Sequence, residues 1–553
     1  MASGQQDFRD ELGANIFHNK YKLTPTQSWK EKAYDIVEGV CGSMWGRRSP
    51  LMSKDDREQL VQFIYEMKFI PAGRYIYYAG RPNHSWNNCA CLIGQEDSRQ
   101  EWASVIGRVT NILMNGAGLS VEYSVFRERG RVLSRTGGIA SGPIALMYML
   151  NEAGRHIMQG GSRRAALGAL LHWLHGDADE FLTTKNWYDM SVGNTNIGKL
   201  KETDFNYPAP LDMTNISLRY DDEFLKCKKH PEIFLRNVRQ AMQTAEPGFS
   251  FNFGSKSKEI GRNVCMEFTS EDDNDLCNLG SVNFSRINNI TDFKDVVNLG
   301  SKFLICGSIR ADLPYEGMKK IREQNRKIGL GIMGVHEWLL RRGSSYEVTP
   351  EMHKWLRVYK NESERSANEH CDRFYINRPK SYRAVAPTGS IGILAGTTTG
   401  IEPLYAAAYK RRYLRNQTEW QHQFVVDSTA ALLIKTLGIE PESIETALSL
   451  ASNPEKRIKF QADIQDYVDM AISSTINLPA WGTDNNNEDL VPKYADLIRK
   501  YAPRLRGLTM YPDGSRGGQP LTICDYREAE SKVGNVYTEH DICSLAHGGS
   551  CGE

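Results

Sequence analysis

Between residues 29 and 40, Trp29, Ala33, Ile36, Val37 and Val40 recur at intervals of three and four, which lays an apolar stripe along one face of a helix. Thr24 followed by Pro25, with Gln27 three places after Thr24, predicts a capped helix start just ahead of that stripe. Residues 1–85 therefore predict a small, mainly helical region. Further on, short apolar runs such as ISL at 216–218 and IGILAG at 391–396 read as strands alternating with helical patterns. In PEIFLRNVRQAMQT the helical face is made by Leu235, Val238, Ala241 and Met242. This alternation predicts an α/β fold over 86–525, and the absence of a Pro/Ser-rich linker or fixed-period repeat predicts one body. Residues 526–553 are polar, end in GGSCGE and carry no packing pattern, which predicts a mobile tail.

Hydrophobic residues make up 40% of the 553-residue chain and charged residues 24%, the balance of a folded globular protein rather than a disordered or fibrous one. The formal net charge of +1 encodes no global attraction to nucleic acid or an anionic membrane, so any phosphate recognition must be local. No apolar stretch is long enough to cross a bilayer, and the start MASGQQDFRDELGAN lacks a secretory pattern. The expected location is the cytoplasm. Eleven cysteines in such a chain argue for reduced thiols, buried or chemically employed, rather than a disulfide scaffold.

The densest chemical signal is GRNVCMEFTSEDDNDLCNLGSVNFSRI, in which Asn263, Cys265 and Glu267 alternate. On an extended or looped backbone this spacing turns an amide, a thiol and a carboxylate to one side. A solvated loop with an incidental cysteine would have the same spacing. Asn-x-Cys-x-Glu followed by Cys-Asn-Leu-Gly-Ser at 277–281 resembles the signature of the ribonucleotide reductases. FIPAGRYIYYAG, NGAGLSVEYS, TGGIASGP and MQGGSRRAALGALLHWLHGDADEF extend the resemblance in the family's order. Val264 and Met266 depart from it, since close relatives often carry Pro and Gly there.

The resemblance implies a ten-stranded α/β barrel of two five-stranded halves, with Cys265 on a finger loop through its centre. It implies that a thiyl radical on Cys265 abstracts the ribose 3′ hydrogen, that Glu267 takes the 3′-hydroxyl proton and that Asn263 positions the substrate. Two further thiols reduce the 2′ carbon by closing to a disulfide. Cys277 matches one of them. Asn88, Cys89, Asp97 and Ser98 match the element around the other, with Cys89 preferred and Cys91, on the same face of a strand, as the alternative. A zinc site there lacks a C-x₂-C pair and has only His84 nearby, so no metal is expected.

APTGSIGILAGTTTGIEP resembles the family's substrate phosphate loop, which places Pro387, Thr388, Gly389, Ser390 and Ile391 in substrate binding, with amides and hydroxyls offered to an anion, and Asn88, ahead of Cys89, is expected to bind the substrate with them. Gln159, Gly160, Gly161, Ser162, Arg163 and Arg164 resemble the specificity loop through which a deoxynucleotide or ATP effector selects the base. A solvated basic turn is the bland reading of the same residues. Cys543 and Cys551 are candidates for a C-terminal dithiol that relays electrons from a thioredoxin- or glutaredoxin-like reductant, although family pairs are usually closer together. TGGIASGP and QGGSRR lie too close to hold the insertion of monomeric members, so a homodimer is expected.

Three radical sources divide the family. Oxygen-dependent members use adjacent tyrosines and a separate metal subunit, but GLTMYPDGSRGGQP holds Met510 and Tyr511 instead of a tyrosine pair. The glycyl-radical signature is missing from the tail. The remaining group uses adenosylcobalamin, which MYPDGSRGGQP resembles, and this is the expected cofactor. The competing readings are an oxygen-dependent catalytic subunit and, from another class, a non-catalytic thiol redox or metal-binding protein on a degenerate fold. No segment resembles the family's ATP-binding activity-control domain, and no nucleic-acid or membrane partner is expected.

Overall fold

The structure is a computed structural model that describes residues 7–43, 49–134, 136–159, 163–204, 207–415, 419–515 and 521–538. The N-terminal helix Trp29–Cys41 starts at Ser28, not at Thr24. Ser28 Oγ accepts from the Glu31 amide at 3.2 Å, and the Glu31 carboxylate accepts from the Ser28 amide at 2.8 Å. This reciprocal pair satisfies two orphan donors, which the Thr24–Gln27 arrangement does not. Gln27 instead braces the preceding turn, accepting from Leu23 N and donating to Asp35. The predicted stripe of Trp29, Ala33, Ile36, Val37 and Val40 is fully buried, against the helices Lys54–Tyr65 and Ile290–Arg310.

The strands that build and cross the central sheet are β1 (Phe69–Pro71), β2 (Cys89–Ile93), β3 (Gly118–Glu122), β4 (Leu167–His172), β5 (Thr214–Asp221), β6 (Gly248–Asn252), β7 (Gly261–Arg262), β8 (Thr269–Ser270), β9 (Leu276–Asn283) and β10 (Ile328–Met333). Next come β11 (Ala408–Arg415), β12 (Glu419–Val426), β13 (Thr475–Leu478), β14 (Gly507–Pro512), β15 (Leu521–Ile523) and β16 (Val536–Thr538). Ten of them form one sheet in the order β1-β9-β2-β3-β4-β5-β6-β14-β13, with β10 paired to β9. Strands β2 to β6 are five parallel neighbours. This set meets the rest through two antiparallel seams, β2 with β9 and β6 with β14. Beyond the seams β9 runs parallel to β10 and β13 to β14. On the open side of β10, isolated parallel bridges join Leu330 to Arg383 and Val385 to Ile472, three residues ahead of β13, and no ladder joins β10 to β13 among the described residues.

Helices cover the sheet, so its strands are apolar on both faces, as parallel strands require. Every residue of β2, β9 and β10 is buried. One core lies under the parallel set, with Leu92, Val121, Leu171 and Phe249, and another joins the N-terminal helices to β9 and β10 through Trp29, Ile36, Phe303 and Ile328.

Three further local expectations are corrected. IGILAG lies in a helix, Gly389–Ala395, whose buried Ile391, Leu394 and Ala395 have helical rather than alternate spacing. In helix Glu232–Thr244 the buried face uses Phe234 where Leu235 was expected, and Leu235 is only partly buried. The stretch after 525 is structured as far as 538. Asp525 caps helix Tyr526–Lys532, and β15 and β16 flank the β11–β12 hairpin in a four-stranded antiparallel sheet. Tyr526 and Ala529 pack on Ala408 and Phe424, and two apolar positions are too few to show a period.

Candidate active site

Strands β7 and β8 are the two short arms of a finger, and loop 263–268 forms its tip. The tip lies against the starts of β3 and β4, where glycines make room. A Cβ on Gly118 would stand 3.1 Å from Val264 Cγ1, and one on Gly168 would stand 2.0 Å from Ser120 Oγ and 3.4 Å from Val264 Cα. The tip is a turn, not an extended strand. Met266 N donates to Asn263 O at 3.1 Å, and Phe268 N donates to Asn263 Oδ1 at 2.9 Å. Closing it requires Met266 at φ 70°, the left-handed region that glycine adopts without strain. The convergence of Asn263 and Glu267 thus comes from the turn rather than from strand alternation.

Cys89 is the first residue of β2 and stands directly opposite Cys277 across the antiparallel seam. Their thiols share a hydrogen bond. Asn263 Nδ2 donates to Cys89 Sγ at 3.1 Å, and the Cys89 thiol donates to Glu267 Oε1 at 3.3 Å. Cys91 is placed elsewhere, donating to the Asp272 carbonyl at 3.6 Å. Glu267 is 2% exposed, and its Oε2 is buried with no hydrogen-bond partner among the described residues. Asn88 Oδ1 is likewise buried and unpaired. Cys265 is only half-buried, so an external group can reach it while Cys89, Cys277, Asn263 and Glu267 are enclosed.

Burial sets the protonation of this cluster. It raises the Glu267 carboxyl above its ordinary range, against the opposing hydrogen bonds from Asn263 and Cys89. It also raises both Cys89 and Cys277, which are therefore neutral thiols at physiological pH. The result is a carboxylate with a free oxygen, beside two thiols able to give up hydrogen and one thiol open to the outside.

The segment 383–386 leads from this cluster to the predicted phosphate loop. Ala384 and Ala386 pack with Cys89, Cys277, Phe268 and Met470, and Thr388 follows two residues later. Thr388 adopts φ 53° at the start of helix Gly389–Ala395, and its hydroxyl accepts from Gly400 N at 2.7 Å. Pro387 and Gly389 are exposed and Ile391 is buried. Lys20 Nζ donates to Ser390 Oγ at 3.0 Å, a contact across 370 residues that left no sequence signal. Gln159 and Arg163 pair as an antiparallel bridge, with Met158 opposite Arg164. Gly160, Gly161 and Ser162 lie outside the described residues, as do Cys543 and Cys551. Among the described residues no group of His, Cys, Asp and Glu could hold a metal ion, and no helix is long and apolar enough to cross a membrane.

The chain matches the family described as the ribonucleotide reductase barrel domain over residues 89–234, 226–356 and 378–502. It belongs to that family. Among individual proteins it is similar to a vitamin B12-dependent ribonucleoside-diphosphate reductase of Mycobacterium tuberculosis, 25% identical over 86% of this chain and 74% of the relative. A protein of the same description from Thermoplasma acidophilum is 26% identical over 83% of this chain and 66% of the relative. A third relative, described as a putative adenosylcobalamin-dependent ribonucleoside-triphosphate reductase of Mycobacterium phage D29, is 25% identical over 79% of this chain. The reductase match spans the whole cluster from Cys89 through Cys277 and the loop at 387–391.

Proposed function

We propose that this chain reduces ribonucleotides to 2′-deoxyribonucleotides through a thiyl radical on Cys265. The observation that carries this reading is the meeting of Cys89, Cys277, Asn263 and Glu267 beside the half-buried Cys265, with one oxygen of Glu267 unpaired among the described residues. The relatives described as B12-dependent favour adenosylcobalamin as the cofactor over a separate metal subunit or a non-catalytic role. The open side of Cys265 fits such a donor, because the hydrogen atom leaves from the one thiol of the site that is not enclosed. The chemistry that adenosylcobalamin supplies when bound is a radical able to take that hydrogen atom.

Each residue then has a task that its surroundings allow. The Cys265 sulfur exchanges a hydrogen atom with the ribose 3′ carbon. Glu267 Oε2 receives the 3′-hydroxyl proton, a general-base contribution of about 10²–10⁴-fold. Asn263 holds Cys89 and the turn in place. Cys89 and Cys277 deliver two electrons and two protons as the 2′-hydroxyl leaves as water, and they end as a disulfide. Asn88 and the loop at Pro387, Thr388, Gly389, Ser390 and Ile391 receive the substrate, with Lys20 beside Ser390 adding positive charge. Residues 159–164 carry the effector response, and Cys543 and Cys551 connect the site to a thioredoxin- or glutaredoxin-like reductant in the cytoplasm. A homodimer is supported by Met114, Tyr148 and Met149, exposed on the mutually packed helices Arg99–Asn115 and Pro143–His156.

The test is product formation by the purified chain with nucleotide, dithiol and adenosylcobalamin, omitting each in turn and supplying diphosphates and triphosphates separately. Deoxynucleotide should require all three components. Cys265→Ser should bind cobalamin yet form no product, because an alcohol O–H is too strong to relay hydrogen. Multiple turnovers by that variant would sink the assignment.

A further inference from the structure

A second group of thiols lies away from the cluster around Cys265. Cys41 ends the N-terminal helix Trp29–Cys41, and Cys306 lies in the core helix Ile290–Arg310. Both are fully buried, and their thiols share a hydrogen bond. Cys306 Sγ is 3.3 Å from His370 Nε2, and His370 is itself 4% exposed. Arg310, one turn after Cys306, donates to the carbonyls of Gly42 and Ser43 at 3.4 Å each, which holds the end of the N-terminal helix over the pair.

The two thiols are chemically unequal. Burial acts to raise both. At Cys306 it is outweighed by hydrogen bonds from Cys41 and His370 and by the charges of His370 and Arg310, so this thiol is pulled down while Cys41 is pushed up. A thiolate beside a neutral thiol is the pairing that thiol oxidation needs, one sulfur to attack and one to resolve. A resident metal does not account for the group, since the described residues hold no cluster able to bind one. The pair lies next to the surface end of the N-terminal helix, since Ser43, two residues after Cys41, is exposed.

We propose that Cys41 and Cys306 form a second redox dithiol, closed to a disulfide by hydrogen peroxide or a similarly small hydroperoxide, which fastens the N-terminal helix to the core helix. The Cys306 thiolate attacks the peroxide, whose O–O bond breaks to release hydroxide and leave a sulfenic acid on Cys306. The Cys41 thiol then attacks that sulfur, the S–O bond breaks, and water leaves as the disulfide forms. Two electrons pass from the thiols to the peroxide. His370 and Arg310 are positioning residues that stabilise the attacking sulfur. The proposal stands independently of the reductase reading, since the hydrogen bonds of its thiols run to each other and to His370 rather than to Cys89 or Cys277 among the described residues.

The experiment uses the full chain, fully reduced and then treated with stoichiometric hydrogen peroxide. Remaining thiols are alkylated under denaturing conditions and the peptides are mapped by mass spectrometry without reduction. The expected result is a peptide linking Cys41 to Cys306. Cys41→Ser should instead leave a Cys306 sulfenic acid that dimedone traps, and His370→Gln should slow linkage at least tenfold. No Cys41–Cys306 link under conditions that do link Cys89 to Cys277 would overturn the proposal. So would linkage at the parent rate in a folded His370→Gln protein. The mapping of the unsubstituted chain decides the matter even if a variant does not fold.

Discussion

Glu267 and Cys89, 178 positions apart in the chain, meet through a hydrogen bond of 3.3 Å from the thiol to one carboxylate oxygen, and the other oxygen is buried without a partner among the described residues. An unpaired buried acceptor costs free energy that the fold would ordinarily avoid. Its presence beside two neutral thiols makes sense if a ligand supplies the missing donor, as a ribose hydroxyl would under the proposed function.

Replacing Glu267 by Gln should lower turnover by about 10²–10⁴-fold while preserving the fold. Burial raises the carboxyl, so its protonated, inactive form persists to higher pH than for a solvated glutamate at about 4.3. Activity of the unsubstituted enzyme should therefore fall on acidification with a midpoint above that value. The acid limb should vanish from the residual rate of the variant, and a limb unchanged in both would remove Glu267 from proton transfer.

Cys89 and Cys91 are separable by substitution. Cys89 donates into Glu267, whereas Cys91 donates to the Asp272 carbonyl, a role that a serine hydroxyl can take over. Cys91→Ser should keep multiple turnover, while Cys89→Ser should lose it, as read by deoxynucleotide formed per enzyme. The reverse outcome would exchange the two assignments.

Met266 is buried at φ 70°, so its side chain stabilises the fold while its backbone is strained. Met266→Ala should lose packing and keep the strain, at a cost of about 2–5 kcal/mol. Met266→Gly loses the same packing but relieves a left-handed penalty of about 1–2 kcal/mol. Thermal unfolding should therefore rank the glycine variant above the alanine variant, against the usual order of the two residues.

The double variant Cys543→Ser, Cys551→Ser should complete about one turnover from the reduced state, the one reducing equivalent pair that Cys89 and Cys277 hold, and then stall with a thioredoxin-like reductant. A small dithiol that diffuses to the site should restore cycling. Normal cycling with the protein reductant would shift the relay to Cys524 or to direct reduction.

Much of the site was legible in the chain because its chemistry is local. Asn263, Cys265 and Glu267 lie within five residues, and the run from Cys277 to Ser281 follows closely. The α/β alternation was legible too, since parallel strands and their covering helices have different apolar periods. Short elements misled. IGILAG has the same apolar content in a helix as in a strand, and the helix after Asp525 buries only Tyr526 and Ala529.

What the sequence by itself determined is which residue types are available and which of them sit together along the chain: the Asn-x-Cys-x-Glu loop, the candidate thiols and the apolar stripe from Trp29 to Val40. Only the tertiary structure decided which thiol faces which partner. Cys89 and Cys91 share a strand and a composition, and the register of β2 against β9, together with the left-handed turn at Met266, brings Cys89 to Cys277 and Glu267 while sending Cys91 to Asp272. The same holds for Cys41, Cys306 and His370, whose approach depends on how the three helices Trp29–Cys41, Ile290–Arg310 and Pro350–Arg373 pack. Pairing of this kind arises from long-range register and packing, which no local period encodes.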